Sequence, residues 1–315
     1  VEKMKKVLSI SLGSSKRDHL VQTKILGEDF LIERRGTDGD KRKAYRLFAE
    51  LDGQYDAFGI GGIDLYIYTI NNRYTFRDAR KLIKDVRYTP AVDGSGLKNT
   101  LERMVIEYLE DKLGMDFRQK KVLLVAAVDR FGMAESFVNC NADIICGDLI
   151  FGLGIPVGIK SLKSLHRVAS IVAPIITRAP IEWVYPTGNK QENSIKIKEK
   201  YAKYYRDADI IAGDFLFIKR YLPDSLEDKI IVTNTVTEEN IKELEQRGVR
   251  MLITTTPELN GRSFGTNVME AVLVALSGVK DRELKQEEYI ELLRKINFTP
   301  RVIDFTKARN NYEYV

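Results

Sequence analysis

The chain has 315 residues, 44% hydrophobic and 30% charged, an ordinary globular balance that excludes disorder and fibrous structure. Fifty basic against 45 acidic side chains leave a formal charge of +5 spread along the chain, which suits an anionic small molecule and gives little support for nucleic acid, so no nucleic-acid partner is expected. With two histidines, His19 and His166, and two cysteines, Cys140 and Cys146, there is no histidine-rich metal site, and the cysteines read as small buried hydrophobes.

The opening VEKMKKVLSIS is a charged lead into a strand and lacks the apolar run of a signal peptide. The most apolar region, Leu149–Pro186, is broken by Lys160, Lys163, His166 and Arg167 into stretches about half the roughly 20 residues of a bilayer span. A soluble, cytoplasmic protein without a membrane span is expected.

Short β-branched runs follow in order: Val7–Leu12, Phe30–Arg34, Ala57–Ile60, Val122–Ala127, Ile144–Cys146, Ile210–Ala212, Ile230–Thr233 and Met251–Thr254. Amphipathic stretches fall between them, among them Lys41–Leu51, Phe76–Lys84, Asn99–Lys112, Glu238–Arg247 and Asn267–Leu276. Apolar strands alternating with helices predict an α/β fold with parallel sheets covered on both faces. The charged turn Asp111–Lys121 divides two such series and places a boundary between Gly114 and Val122. The expected domains are an α/β substrate domain over 1–117, a Rossmann-like NAD(P)-type domain over 118–265, and C-terminal helices over 266–315 that pack back on a cleft.

Two polar strand ends mark the first domain. SLGSSKRDH puts Ser14, Ser15 and Lys16 after a strand, at an expected helix N-terminus, an arrangement that binds anions. VDGSGLKNTLER is a Gly-Ser-Gly turn running into a periodic helix, with Asp93 at the strand end and Lys98, Asn99 and Thr100 in the first turn. Asn99 or Thr100 can equally be an N-cap, with Arg103 on a solvated face. Gly-Ser-Gly is not the GxSxG nucleophile elbow, so a serine hydrolase is disfavoured. A lysine near a carboxylate can relay a proton in alcohol and carbonyl chemistry, which makes Lys98 the catalytic candidate, with Asp93 or Asp64 as partner.

In the middle domain, VDRFGMAE holds the place of a dinucleotide fingerprint with one glycine, Gly132, where GxGxxG has three. Asp129 repels a phosphate unless it faces away or caps the helix. Arg130 reads as a phosphate clamp or as a partner for Asp129, and Phe131, Gly132 and Met133 complete the turn. An internal echo, ADIICGDLIF and ADIIAGDFLF, repeats a buried strand ending in Gly-Asp. Asp148, in the first copy, lies 19 residues beyond Asp129, where a Rossmann acid meets a ribose; a plain helix cap is the alternative. Further along, Thr233 and Asn234 end one strand, and Thr254, Thr255 and Thr256 end the next. Their hydroxyls suit a nicotinamide carboxamide or a substrate oxygen, or belong to a threonine-rich strand with a capping residue.

Taken together, SLGSSKRDH, GTDGD, GIGGIDLY, VDGSGLKNTLER, VDRFGMAE, GDLIFGLGIP, IIAGDFLFIKRYLP, TNTVTEE and TTTPELNGRSFGTNVMEA resemble the quinate 5-dehydrogenase-like bacterial proteins. These sit in the neighbourhood of the quinate/shikimate dehydrogenases and acyl-carrier-protein reductases. The resemblance implies a substrate domain followed by an NAD(P)-type domain, with NAD or NADP as cofactor. It matches the family's N-terminal serines to Ser14 and Ser15, and its closing helix to Asn267–Leu276. The family's Asn-x-Thr-x-Pro-x-Lys run is absent here, Lys98-Asn99-Thr100 having related residues in another order, and its glycine-rich loop is missing. The expected function is an NAD(P)-dependent oxidoreductase acting on a small hydroxylated or carbonyl acid, with Asn267 among the substrate-binding residues. The alternatives are a Rossmann-fold binding or sensor protein without hydride transfer, and an acyl-type reductase suggested by the apolar Leu149–Pro186, which an interdomain or homodimer contact explains as simply. No Walker motif supports ATP chemistry.

Overall fold

Val7, Leu8 and Ile10 have almost no exposed surface because their strand lies in the interior of a sheet, with a neighbour on each edge. The computed structural model describes residues 4–68, 72–180, 195–256, 258–259 and 262–306. The elements begin with β1 (Lys5–Ser11), β2 (His19–Ile25), β3 (Glu28–Gly36), α1 (Lys41–Glu50) and β4 (Ala57–Gly61). Then come β5 (Tyr66–Tyr68), β6 (Arg73–Thr75), α2 (Arg77–Leu82), β7 (Ala91–Val92) and α3 (Ser95–Asp111). Next are β8 (Lys121–Leu124), α4 (Phe131–Asn139), β9 (Asp143–Cys146), α5 (Leu162–Ile176) and α6 (Ile195–Asp207). They continue with β10 (Ile210–Gly213), α7 (Phe215–Arg220), β11 (Ile230–Thr233), α8 (Glu238–Gln246) and β12 (Met251–Thr254). The last are β13 (Glu258–Leu259), β14 (Arg262–Ser263), α9 (Thr266–Ser277), α10 (Gln286–Lys295) and β15 (Arg301–Asp304).

Two compact units result. The first comprises Val1–Thr100, Ser170–Gln191 and Leu259–Phe298; the second comprises Leu101–Ala169, Glu192–Glu258 and Thr299–Val315. The expected break near Gly114 therefore falls earlier, inside α3, and 266–315 is not one piece. Composition could not show this, because the returning segments are assigned by contacts with strands far away in sequence.

The first unit has a five-stranded sheet in the order β2-β3-β1-β4-β7, parallel except for the edge strand β2. Its core helix is α9, in which every residue from Val268 to Ala275 is buried, all of them apolar except Glu270. It packs on β1 and β4. Helix α1 is amphipathic, started by Asp40, whose side chain accepts the Lys43 N–H, and held inside by Ala44 and Phe48 one turn apart. Strand β2, at His19–Ile25, stands where SSKRDH was expected to begin a helix; only a three-residue turn, Ser15–Arg17, precedes it.

In the second unit six strands run β15-β12-β11-β10-β8-β9, all parallel except the edge strand β15. The four central strands are short and nearly wholly buried, which is why they read as continuous apolar runs. Tyr205, Phe151, Tyr221 and Leu222 pack with Ile211 and Ile231 on one side of this sheet. Among the described residues no helix is long and apolar enough to cross a membrane.

Candidate functional site

In the first unit the sequence DGSGLK turns from β7 into α3. Asp93 anchors that turn. One carboxylate oxygen accepts the N–H groups of Leu65 (2.5 Å) and Tyr66 (3.2 Å), and the other accepts the N–H (3.1 Å) and hydroxyl (2.6 Å) of Ser95. A carboxylate with four donors already in place is a structural clasp, and Asp64 is the acid whose carboxylate lies 3.9 Å from the Lys98 ammonium. Lys98 is only 9% exposed, an uncommon position for a lysine, and a charge so placed needs an acidic neighbour.

The start of α3 receives a second carboxylate, from Glu270 on α9. It accepts the N–H groups of Gly94 (2.6 Å) and Leu97 (3.2 Å) and the hydroxyl of Tyr289 (2.5 Å). Helix N-termini leave such N–H groups without intrahelical partners, and a carboxylate answers both their geometry and the helix dipole. Burial, reinforced by the nearby Asp93, pushes the Glu270 carboxyl up to about 8. The turn fits around these groups because it is glycine-rich: Gly94 has φ +95°, and a Cβ there would stand 2.7 Å from the Asn267 nitrogen. The residues expected to cap the helix do not. Asn99 and Thr100 lie inside α3, and the buried Thr100 hydroxyl has no hydrogen-bond partner among the described residues. Asn267, expected on substrate, donates its side-chain amide to the Ser9 hydroxyl at 2.8 Å.

At the end of β1, Ser14 accepts the Lys16 N–H, and the Ser15 N–H goes to Asp38. The helix that starts here is a single 3-10 turn, Ser15–Arg17, capped by Ser14. The cations that converge are instead Arg17 and Arg34, whose guanidinium nitrogens stand 2.8 and 3.2 Å from where a Gly13 Cβ would be. One Arg34 nitrogen, Nη1, is taken by Asp18 at 2.8 Å and the Ser14 carbonyl at 3.0 Å, while Nη2 is the one facing Gly13. Burial, then the charge of Arg17, lowers the Arg34 pKa from its ordinary value. Sequence order hides Arg34 because only the β1–β3 pairing brings it to this turn. This turn and the one carrying Asp64 are neighbours: Leu12 N–H bonds the Gly61 carbonyl at 2.9 Å.

In the second unit the strand order reverses between β8 and β10, the switch point at which open α/β sheets hold ligands. Arg130 lies across it. Its guanidinium pairs with Glu102 and, at 3.1 Å, with Asp214 at the end of β10. Arg130 is 4% exposed and Glu102 1%. Burial opposes the arginine charge, but Glu102, Asp214 and Asp129 outweigh it and raise the pKa. Asp214 also caps α7 and accepts the Asn234 amide at 2.6 Å, while Asn234 accepts the Phe215 N–H. Arg130, Asp214 and Asn234 thus form one polar chain over the ends of β8, β10 and β11. Arg130 is therefore neither a free phosphate clamp nor chiefly a partner of Asp129.

Asp148 follows β9 as expected, but its carboxylate accepts the N–H groups of Ala127 (3.1 Å) and Val128 (2.9 Å), tying down the turn after β8. Burial raises its pKa to about 6, against the pull of those two N–H groups. Phe131, Gly132 and Met133 are buried in the first turn of α4. Thr233 bonds the Gly213 carbonyl through its hydroxyl at 2.8 Å, and the Thr255 N–H bonds the Thr233 carbonyl at 2.7 Å. Thr254 and Thr255 are each 3% exposed.

This set does not fit a dinucleotide pyrophosphate. The two N–H groups after β8 already face an internal carboxylate. The one cation of the turn is clamped between two acids, Asp129 adds a third negative charge, and the glycines that admit phosphate close to the backbone are missing. Among the described residues, no group of three or more His, Cys, Asp and Glu side chains is arranged to hold a metal ion.

Residues 96–305, two thirds of the sequence, match the model of a family described as Domain of unknown function (DUF8754). The chain belongs to the DUF8754 family. Residues 6–93 match a second model, Domain of unknown function (DUF8753). No curated protein matches the chain. Among solved structures it is similar to a galactofuranose binding protein, at 11% identity and a TM-score of 0.40, over 98% of this chain and 97% of that one. It is also similar to the hetero-hexameric glutamate dehydrogenase of Thermus thermophilus, at 11% identity and a TM-score of 0.43, over 93% and 74% of the two chains. A third is the NAD-dependent malic enzyme of Thermotoga maritima, at 11% identity and a TM-score of 0.35, over 93% and 84%.

Proposed function

We propose that this chain binds a small anionic hydroxy or carbonyl acid on its first unit, and does so without a resident NAD or NADP. The observation that carries the reading is the buried Lys98 beside Asp64, at the same sheet edge as the Arg17–Arg34 turn. A guanidinium pair suits the ligand's carboxylate, and an ammonium held by a carboxylate suits its hydroxyl or carbonyl oxygen. Calorimetry with quinate, shikimate and a panel of small 2-hydroxy and 2-oxo acids tests it. Saturable binding by one of them, lost in Lys98→Met, is expected; binding that survives this change would end the assignment.

The second reading is an NAD(P)-dependent oxidoreductase of the quinate/shikimate class. Lys98 and Asp64 favour it, since a lysine beside a carboxylate can pass a proton to or from a reacting oxygen. The polar chain over the second unit's switch point opposes it. Fluorescence titration with NADH and NADPH separates the two: saturable micromolar binding of either would favour the oxidoreductase, and its absence the binding protein.

A further inference from the structure

Helices α1 and α2 of the first unit lie side by side, joined by Lys41–Asp78 at 3.6 Å and by the Lys84 ammonium 5.0 Å from the Tyr45 ring. Their inward faces are apolar, with Ala44 and Phe48 on one and Ala79 and Leu82 on the other. Their outward faces are cationic. Arg77, Arg80 and Lys81 are exposed on α2, and Lys84 is exposed in the turn that follows it. Arg42, Lys43 and Arg46 are exposed on α1. Lys41–Glu50 and Arg77–Arg87 together hold nine cations and three carboxylates, a net +6, against +5 for the whole chain, so the remainder is near neutral. The even spread of charge along the sequence conceals this, because the two segments meet only in the fold.

The acids do not neutralise the face. Asp78 sits at the seam with Lys41 and Lys81, and Asp85 takes the Tyr45 hydroxyl. Among the described residues, Arg42, Lys43, Arg46, Arg77 and Arg80 have no carboxylate within 4 Å. Asp38 and Asp40, just before α1, act on Lys43 and Arg46, but the cations still outnumber these acids; the excess like charges repel one another, and an anionic partner relieves that repulsion. Arginines outnumber lysines in these segments, five to four, and guanidinium groups match phosphate oxygens bidentately. Among the described residues the face lacks the apolar side that a membrane-surface helix inserts, and the large exposed hydrophobic residue at its margin is Tyr88, 76% exposed.

We infer that the α1–α2 face binds the phosphate backbone of a nucleic acid. Fluorescence anisotropy of the full chain with a labelled DNA duplex and a labelled single-stranded RNA tests this. With about four phosphate contacts, affinity should fall about 100-fold between 50 and 200 mM salt. Arg42→Gln, Arg77→Gln and Arg80→Gln together should weaken binding at least tenfold and flatten the salt slope, with an unchanged melting temperature. Lys43→Gln with Arg46→Gln should do the same to a smaller degree and serves if the triple variant misfolds. No binding at 50 mM salt, or binding that both variants leave intact, overturns the inference. So does binding to phosphatidylserine vesicles without binding to either nucleic acid.

Discussion

The Glu270 carboxylate stands in the space a side chain on Gly96 would need: a Cβ built on Gly96 would lie 2.5 Å from Oε1. Three donors pin that oxygen pair, so the carboxylate cannot easily swing aside. The Gly-Ser-Gly turn of the sequence is thus the seat of a buried acid from α9.

Gly96→Ala should therefore destabilise the first unit by about 1–3 kcal/mol, the usual range for overpacking, although alanine is the better helix former by about 1 kcal/mol. In a Glu270→Ala background the clash is gone, and the same change should be neutral or stabilising. Urea denaturation of the four proteins of this cycle checks it; an additive cycle would remove Glu270 as the cause.

The same carboxyl sets a pH dependence. Its folded pKa is about 8 against an ordinary value of 4.5, so between those limits the native state keeps a proton that the unfolded chain releases. The unfolded state then binds fewer protons, and stability falls as pH rises through this window, by roughly 5 kcal/mol in all. Asp148 contributes with the same sign over a lower window, from 3.8 to about 6. Glu270→Gln should remove the upper part, leaving a variant more stable than the parent at pH 9 but not at pH 5, as read from denaturation midpoints.

Removing the Arg130 side chain should cost the second unit about 3–5 kcal/mol, because Arg130→Met leaves Glu102 charged and buried. Arg130→Met combined with Glu102→Leu should recover much of that loss, since the acid left without its cation is then the partly exposed Asp214, which keeps the Asn234 amide. If the double variant is as unstable as the single one, Arg130 acts mainly through Asp214 and the strand ends.

Asp64→Asn should destabilise the first unit by about 1–3 kcal/mol, because the Lys98 ammonium is buried and loses the carboxylate 3.9 Å away. Affinity for whichever acid the chain binds should fall tenfold or more, because the ammonium loses the charge that orients it. Calorimetry beside a thermal melt reads both; a large stability loss with unchanged affinity would make the pair structural.

Much of the fold is local in origin and could be read from the chain. Buried parallel strands such as Ile230–Thr233 must be apolar throughout, and α1 repeats its apolar positions one turn apart under an Asp40 cap, so both announce themselves in a few consecutive residues. Lys98 was legible for the same reason, as a cation just after a glycine turn. What the sequence could not disclose is which groups meet. Asp93 and Asp64 were equal partners for Lys98 until backbone N–H groups engaged Asp93 and left Asp64 opposite the ammonium. Glu270 is 176 residues from Gly94, and Asp214 is 84 from Arg130, separations at which no periodicity or spacing rule acts. Hydrogen bonds and ion pairs depend on distances of a few ångströms, and for side chains on different strands and helices only tertiary packing sets those distances.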